Sequence, residues 1–223
     1  MESKEGVKMP KTLVSFSLPV SYRCSLVSAG GGRRKYQPLE TLLNEEGEYS
    51  TVGTSNGRAF LPDLRNSRCY RVEFDFTLDY RRAATWLAEL VEPGAGPVRW
   101  LPKNHIFDVI RYETGGFFKE HRDKLIDHDH YATLLIFPPA IGEFAHNGGE
   151  LMIHGDDGST FHFQSSSNME WRFIAFHPHL RHECLPVLTG RRVVIKTELR
   201  YNYDLLAPDH KFNFRIIPQD FVD

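Results

Sequence analysis

The chain has 223 residues, of which 41% are hydrophobic and 13% aromatic. A chain of this length forms one domain, or one domain with an elaborated arm, and buries roughly 70% of the surface that its unfolded state exposes. Its formal net charge of -2 provides no basic footprint. Tight binding to a nucleic-acid backbone is therefore disfavoured, although a local basic stripe is compatible with this charge.

The cysteine count and the lack of long apolar runs indicate in which cellular compartment the protein resides. Cys24, Cys69 and Cys184 are an odd number without close pairing, which predicts free thiols in a reducing environment. The N-terminal residues lack the apolar segment that export requires, and no run approaches 18 apolar residues. The sequence predicts a soluble intracellular protein, cytoplasmic or nuclear, without membrane association.

The first hundred residues predict an N-terminal layer that supports the rest of the chain. Residues 12–22 and 70–76 alternate polar and apolar side chains, which indicates strands. Residues 47–68 are rich in Gly, Ser and Asn and predict a loop. A helix is expected at residues 80–91, because its apolar residues form one stripe and Pro93-Gly94 follows as a stop signal.

From residue 101 onward the sequence predicts short strands separated by turns. The seven candidates are residues 105–112, 131–137, 150–154, 160–164, 172–177, 184–188 and 191–201. Strands at this spacing favour an antiparallel sandwich or barrel. We expect a mainly β protein with supporting helices (α+β), in which residues 1–100 and 101–223 pack as one integrated domain.

A candidate metal site begins at His121-x-Asp123. Positions i and i+2 of a strand point the same way, so this imidazole and carboxylate can meet at one point. They are two ligands of a facial triad for non-haem iron(II), which needs a second histidine. A rival match, His154-x-Asp156, has flanking glycines typical of an acidic turn and leaves room for only two strands before His182.

The distal segment supplies the third ligand and a cation. His182 follows His121 by about sixty residues, which is enough for the intervening strands. Thr189-Gly190 predicts a hairpin turn that would return the next strand beside His182. Arg192 would then lie deeper in the cavity, where its planar fork matches a carboxylate. Strand parity puts Arg192, Val194 and Lys196 on one side.

Other polar residues have alternative interpretations. His128-x-His130 could bind a second metal but is more typical of a polar loop at the rim, and His179 is the substitute ligand if His182 is not used. Cys184 is interpreted as a packed thiol rather than a nucleophile. Arg181 and Glu183 are candidates for substrate contact at the entrance, with a solvated rim as the alternative.

Residues from about 105 to 201 resemble the iron(II)- and 2-oxoglutarate-dependent dioxygenases, in particular the prolyl 4-hydroxylase-like family. The motif residues occur in the family's order and spacing: Tyr112, Gly115, Phe118, His121, Asp123, Gly148, Gly149, Glu150, Leu151, His182, Pro186, Val187, Gly190 and Arg192. Each piece is a weak signal alone, and the ordered combination is a strong one.

The resemblance implies a double-stranded β-helix, or jelly-roll, core and a set of site residues. His121, Asp123 and His182 would bind iron(II), Arg192 would bind the distal carboxylate of 2-oxoglutarate, and Tyr112 would hydrogen-bond the same cosubstrate. No catalytic residue beyond the metal ligands is implied. The cofactors would be iron(II), 2-oxoglutarate and dioxygen, with ascorbate as an optional addition, and the products would include succinate and carbon dioxide.

The substrate class rests on the resemblance alone. It implies hydroxylation of prolyl residues in a protein or peptide. The alternatives are a dioxygenase acting on a small molecule or, less favoured by the charge, on nucleic acid, and a catalytically silent binding module. Two departures from the family pattern, Phe118 and Phe137, replace hydroxyl-bearing residues of some members and predict a drier cosubstrate pocket.

Overall fold

The computed structural model describes residues 13–19, 25–26, 47–54, 57–75, 98–99, 106–124, 130–155, 158–165 and 170–201. Most of these residues lie in strands, and the helical structure within these ranges is one short 3-10 turn, Gly142–Phe144. The predicted mainly β class is confirmed. The helix predicted at residues 80–91 lies outside the described residues. Within them, no helix has the length and apolarity needed to cross a membrane.

The described ranges contain eighteen strands, which we number in chain order. They are β1 (Leu13–Pro19), β2 (Ser25–Leu26), β3 (Glu48–Tyr49), β4 (Val52–Thr54), β5 (Gly57–Ala59), β6 (Arg65–Asn66), β7 (Arg68–Asp75), β8 (Val98–Arg99), β9 (Ile106–Tyr112), β10 (Phe117–His121), β11 (His130–Phe137), β12 (His146–Gly148), β13 (Leu151–His154), β14 (Thr160–Phe163), β15 (Glu170–Phe176), β16 (Arg181–Cys184), β17 (Val187–Gly190) and β18 (Arg192–Tyr201).

Two antiparallel sheets carry most of these strands. The larger sheet has the order β1-β15-β11-β18-β9-β7-β2, with β3 paired to β7 and β8 paired to β18. The smaller sheet has the order β14-β13-β16-β10-β6. β12 and β17 form a separate two-stranded ladder, as do β4 and β5. The many non-consecutive neighbours mean that strands repeatedly cross from one sheet to the other, as in a jelly roll.

The two sheets share one apolar core. Leu135, Phe137 and Phe176 of the larger sheet and Ile153 and Phe163 of the smaller sheet belong to the same buried cluster. In a sandwich, alternate residues of each strand point between the sheets. The core therefore fixes which residues of β10, β11, β16 and β18 face the interior.

The prediction of a loop at residues 47–68 was wrong. This range contains β3, β4, β5 and β6, of which β4 and β5 form a small hairpin and β6 extends the smaller sheet beside β10. These strands have only two or three residues and are mostly exposed. Strands of this length show no alternation of apolar residues, so periodicity cannot reveal them.

The prediction that Thr189-Gly190 forms a hairpin turn was also wrong. Both residues belong to β17, which pairs with β12, and β18 starts at Arg192 in the larger sheet. β18 consequently lies between β11 and β9 and not beside β16. Gly190 has a φ of 80°, a left-handed conformation in which the chain leaves one ladder for the other.

The N-terminal strands extend the larger sheet. β1 pairs with β15 over seven residues, and β7 pairs with β9. Strands from before residue 100 thus share a hydrogen-bonded sheet with strands from after it. The division of the chain at residue 100 stays a prediction.

Candidate functional site

Three side chains with metal-binding groups converge at one end of the sandwich. The ligand atoms of His121, Asp123 and His182 all lie within 4.8 Å of one another. His121 ends β10 and is the register partner of His182 in β16, so the pairing of these two strands places the imidazoles together. Asp123 follows two residues after His121, and its N–H donates to Pro178 O at 3.0 Å. The structure brings the three predicted metal ligands together.

The histidine rings are held in one tautomer. His121 Nδ1 lies 2.8 Å from Lys119 O, and His182 Nδ1 lies 2.9 Å from Leu180 O. A carbonyl oxygen only accepts, so each Nδ1 carries the hydrogen and each Nε2 carries the lone pair. A hydrogen bond at the second ring nitrogen is the usual support of a metal-binding histidine.

Both imidazoles are neutral at physiological pH. Burial, followed by the charge of His182, lowers the pKa of His121 to about 3. Burial also lowers the pKa of His182, against the opposing charge of Asp123. Metal binding requires neutral imidazole, so these two residues pay no deprotonation cost near pH 7.

Asp123 is held ionised by residues of the larger sheet. Burial would raise its pKa, but the charge of Lys196 and hydrogen bonds from Lys196 and Thr133 keep the pKa of Asp123 well below its usual range. Thr133 Oγ1 donates to Oδ2 at 2.6 Å, and Lys196 Nζ donates to Oδ1 at 2.7 Å. Oδ2 lies 3.9 Å from His182 Nε2. The carboxylate is thereby fixed toward the two histidines.

Aromatic rings form the apolar side of the metal-binding cluster. Phe118 stacks on His121 with centroids 3.5 Å apart, and Phe176 meets His182 edge-on at 4.7 Å. The guanidinium of Arg65 lies over the Phe118 ring at 4.6 Å. Packing of this kind restrains the orientation of both imidazoles and limits the access of water to them.

A buried cation lies deeper between the sheets. Arg192 is 2% exposed, and its Cζ is 5.1 Å from the ring centroids of both Tyr112 and Phe137. Its Nη1 donates to Cys184 Sγ at 3.2 Å. Among the described residues no carboxylate pairs with it. Buried charges in proteins are normally paired, and sulfur is a weak acceptor, so this guanidinium is suited to an anionic ligand.

Two polar side chains that contact Arg192 are neutral. Burial raises the pKa of Tyr112 to about 12 and also raises the pKa of Cys184. Tyr112 is 4% exposed and keeps its hydroxyl proton. A buried thiol with a raised pKa is a poor nucleophile, which agrees with the interpretation of Cys184 as a packed thiol.

The alternative ligands are excluded by position or lie outside the described residues. On the other side of β16, in β13, the register partner of His182 is Ile153 and not His154. His154 therefore faces away from the cluster and contacts Glu183 Oε1 at 3.2 Å. Asp156 and His128 lie outside the described residues. His130 is buried at the start of β11 and not in a rim loop, which corrects that interpretation. His179 is not part of the converging group.

Two solved structures are similar to this chain. A prolyl-4-hydroxylase from Pseudomonas putida is similar over 86% of this chain and 94% of its own, with a TM-score of 0.53 and 15% identity. The chain shares the fold of that hydroxylase. A prolyl hydroxylase from Trichoplax adhaerens, solved with a peptide fragment of hypoxia inducible factor, is 16% identical over 73% of each chain, with a TM-score of 0.49.

Comparisons of the sequence alone find no similar protein. No protein-family model matches the chain, and no curated protein sequence is significantly similar to it. The fold that the motif resemblance implied is confirmed by structural similarity. Fold alone does not establish activity, so function has to be argued from the site.

Lys196 and Thr133 contribute to the site but were not predicted as site residues. Lys196 shares the strand parity of Arg192, and that parity was the available signal. Thr133 lies in the middle of an apolar strand and carried no signal, because its role depends on which element packs against β11. Neither residue belongs to the motifs that carried the resemblance.

Proposed function

We propose that the chain is an iron(II)- and 2-oxoglutarate-dependent dioxygenase that hydroxylates a carbon atom of its substrate. The observation that carries the proposal is the convergence of His121, Asp123 and His182, with both histidine Nε2 atoms unprotonated and the carboxylate ionised. Two imidazoles and one carboxylate are the donor set of a facial triad for non-haem iron(II), so the residues fit this metal.

His121, Asp123 and His182 would hold the iron. When bound, iron(II) supplies dioxygen activation coupled to oxidative decarboxylation of 2-oxoglutarate to succinate and carbon dioxide. The protein's own residues bind and orient. Arg192 and Tyr112 are buried against each other between the sheets; Arg192 would bind the distal carboxylate and Tyr112 would hydrogen-bond the same cosubstrate. Phe118 and Phe176 limit the access of water.

Arg192, which pairs with no carboxylate of the described residues, supports a dicarboxylate cosubstrate. A guanidinium that is 2% exposed between the Tyr112 and Phe137 rings is costly to leave without an anion. A bidentate carboxylate would satisfy its fork, and the absence of bulk water would strengthen the pair. The low polarity around it suits the methylene groups that separate the two ends of 2-oxoglutarate.

Prolyl residues of a protein or peptide are the proposed substrate. This finer assignment is supported by the motif resemblance and by the fold shared with the Pseudomonas putida prolyl-4-hydroxylase. No contact in the described residues selects proline over another group. The substrate therefore has to be identified in a separate experiment.

The first test measures iron-dependent turnover of 2-oxoglutarate. Purified protein with iron(II) is expected to form succinate slowly without substrate, and His121→Ala or Asp123→Ala is expected to abolish both iron binding and succinate formation. His154→Ala is the matched control, because His154 belongs to the rival motif and faces away from the cluster. Unchanged succinate formation in the His121 and Asp123 variants would refute the proposal.

The second arm identifies the substrate. Candidate peptides, proteins and small molecules are incubated with active enzyme, and mass spectrometry is used to find a gain of one oxygen atom. Oxygen on proline supports the prolyl assignment. Oxygen on another substrate replaces the prolyl assignment and leaves the assignment as a dioxygenase unchanged. Binding of iron and 2-oxoglutarate without formation of succinate indicates a catalytically silent binding module.

A further inference from the structure

The inner face of β18 carries a cation at each end of a three-residue stripe. Arg192 and Lys196 flank Val194, which belongs to the apolar core between the sheets. Arg192 contacts Cys184 of the smaller sheet, and Lys196 contacts Asp123, which follows β10 of the same sheet. Both cations therefore point into the space between the sheets, one against Tyr112 and Phe137 and one beside the metal-binding cluster.

Lys196 can serve a second anion as well as Asp123. Its ammonium carries three N–H donors, and the 2.7 Å bond to Asp123 Oδ1 uses one of them. Its side chain is 28% exposed, so the ammonium is not sealed inside the core. Asp108, its register partner on β9, is engaged by Arg71 at 3.0 Å and does not compete for the ammonium.

The spacing of Arg192 and Lys196 along β18 suits a short dicarboxylate. The Cα atoms of two residues that are four positions apart on a strand lie about 13 Å apart, so their side chains start at this separation. The five-carbon chain of a 2-oxo dicarboxylate spans about 5 Å between its terminal carbons, and a charge-assisted contact adds about 3 Å at each end. The carboxyl oxygens, which extend beyond the terminal carbons, account for most of the remaining distance. Val194 lies at the middle of the stripe, where such a molecule carries its methylene groups.

We propose that Lys196 is the second anchor of the cosubstrate. Arg192 pairs with the distal carboxylate, and Lys196 donates to the carboxylate next to the keto group while it keeps its bond to Asp123. The pair of cations selects 2-oxo acids that carry two carboxylates at this spacing. This inference rests on the proposed use of 2-oxoglutarate, and it assigns to Lys196 a role that the motif residues leave open.

The test measures binding without turnover. Iron(II)-loaded protein is titrated anaerobically by calorimetry with 2-oxoglutarate, and with 2-oxobutanoate, which has the keto acid end and no distal carboxylate. Lys196→Met and Lys196→Gln are expected to weaken both ligands about 10- to 100-fold, as for loss of a charge-assisted contact. Arg192→Met is expected to weaken 2-oxoglutarate by a similar factor and to leave 2-oxobutanoate unchanged.

Two controls separate anchoring from a structural effect. Lys124→Met removes an equal charge from an exposed residue next to Asp123 and is expected to change neither affinity. Iron(II) affinity without any 2-oxo acid is measured separately for each variant. Lys196→Gln retains a donor toward Asp123, so it provides a folded protein even if Lys196→Met does not fold.

The outcomes are distinct. Equal 2-oxoglutarate affinity in wild-type and Lys196→Gln protein at saturating iron(II) would overturn the proposal. A loss confined to iron(II) affinity would overturn it too, because Lys196 would then only position Asp123. Failure of the wild-type protein to bind either 2-oxo acid would instead refute the proposed function.

Discussion

At the scale of single residues, backbone hydrogen bonds orient the side chains that form the metal-binding cluster. His121 and His182 each bond a carbonyl two residues earlier in the chain, so the local course of β10 and β16 sets both tautomers. Asp123 depends on the opposite sheet, through Thr133 and Lys196. The metal-binding geometry therefore requires both sheets to be in place, which couples metal binding to the integrity of the fold.

Tyr112 gives a residue-scale prediction about pH. Its pKa in the folded protein is raised from 10.0 to about 12 by burial, so the unfolded state loses the proton first as the pH rises. The stability it contributes is complete below pH 10 and is lost between pH 10 and 12, at about 1.4 kcal/mol per pH unit. Tyr112→Phe removes this loss. Between pH 8 and pH 11, the free energy of unfolding of the variant is therefore expected to fall by about 1 kcal/mol less than that of the wild type.

Urea unfolding at pH 8 and pH 11 measures this difference. The buried thiols of Cys69 and Cys184 also have raised pKa values and reduce stability above about pH 9. Both proteins retain these thiols, so their contribution cancels in the comparison. An identical pH dependence for the two proteins would contradict the burial of the Tyr112 hydroxyl.

At the scale of elements, the ladder of β12 and β17 controls how the chain enters β18. Gly190 is the register partner of His146, and a Cβ atom built at Gly190 would clash with Ala145 O. Its φ of 80° is also unfavourable for other residues. Arg192 follows two residues later, so the close approach of these backbones fixes where its side chain enters the space between the sheets.

Gly190→Ala is expected to be strongly destabilising. Gly158→Ala is a matched control, because Gly158 has a φ of 82° and nothing within 4 Å of the added methyl group. The control is expected to cost about 1–2 kcal/mol from backbone strain alone, and Gly190→Ala about 1–3 kcal/mol more from overpacking. Chemical denaturation measures both. Equal costs would show that the contact with Ala145 relaxes without penalty.

The sequence predicted the long elements and the motif residues but not the connections between sheets. Alternation identified β7, β9 and β18 because each has seven or more residues. Thr189-Gly190 has the composition of a hairpin turn, yet its strand pairs with β12, which had no hydrophobic pattern. Lys196 was visible only by parity, since its partner Asp123 lies 73 residues away in sequence. Contacts at such separations depend on tertiary pairing, which local patterns do not encode.

At the scale of the whole molecule, β1 covers an edge of the larger sheet. It pairs with β15 from Leu13–Phe176 to Pro19–Glu170, and β15 pairs with β11 on its other side. Without β1, the backbone of β15 would present a long unpaired edge whose residues Phe173, Ile174 and Ala175 are buried. Exposed edges of this kind promote association between chains. The N-terminal strand thus protects the sheet that carries Lys196 and Arg192.

Deletion of residues 1–20 is expected to unprotect one side of β15. Amides of β15 that bond to β1 would exchange with solvent faster, whereas those that bond to β11 would keep their protection, because neighbouring amides of a strand point to opposite sides. Hydrogen exchange resolved by residue measures this alternation, and light scattering is expected to show increased association. Deletion of residues 1–11 removes the preceding segment and keeps β1, so it is the matched control. Equal protection of β15 in both truncated proteins would contradict the role assigned to β1.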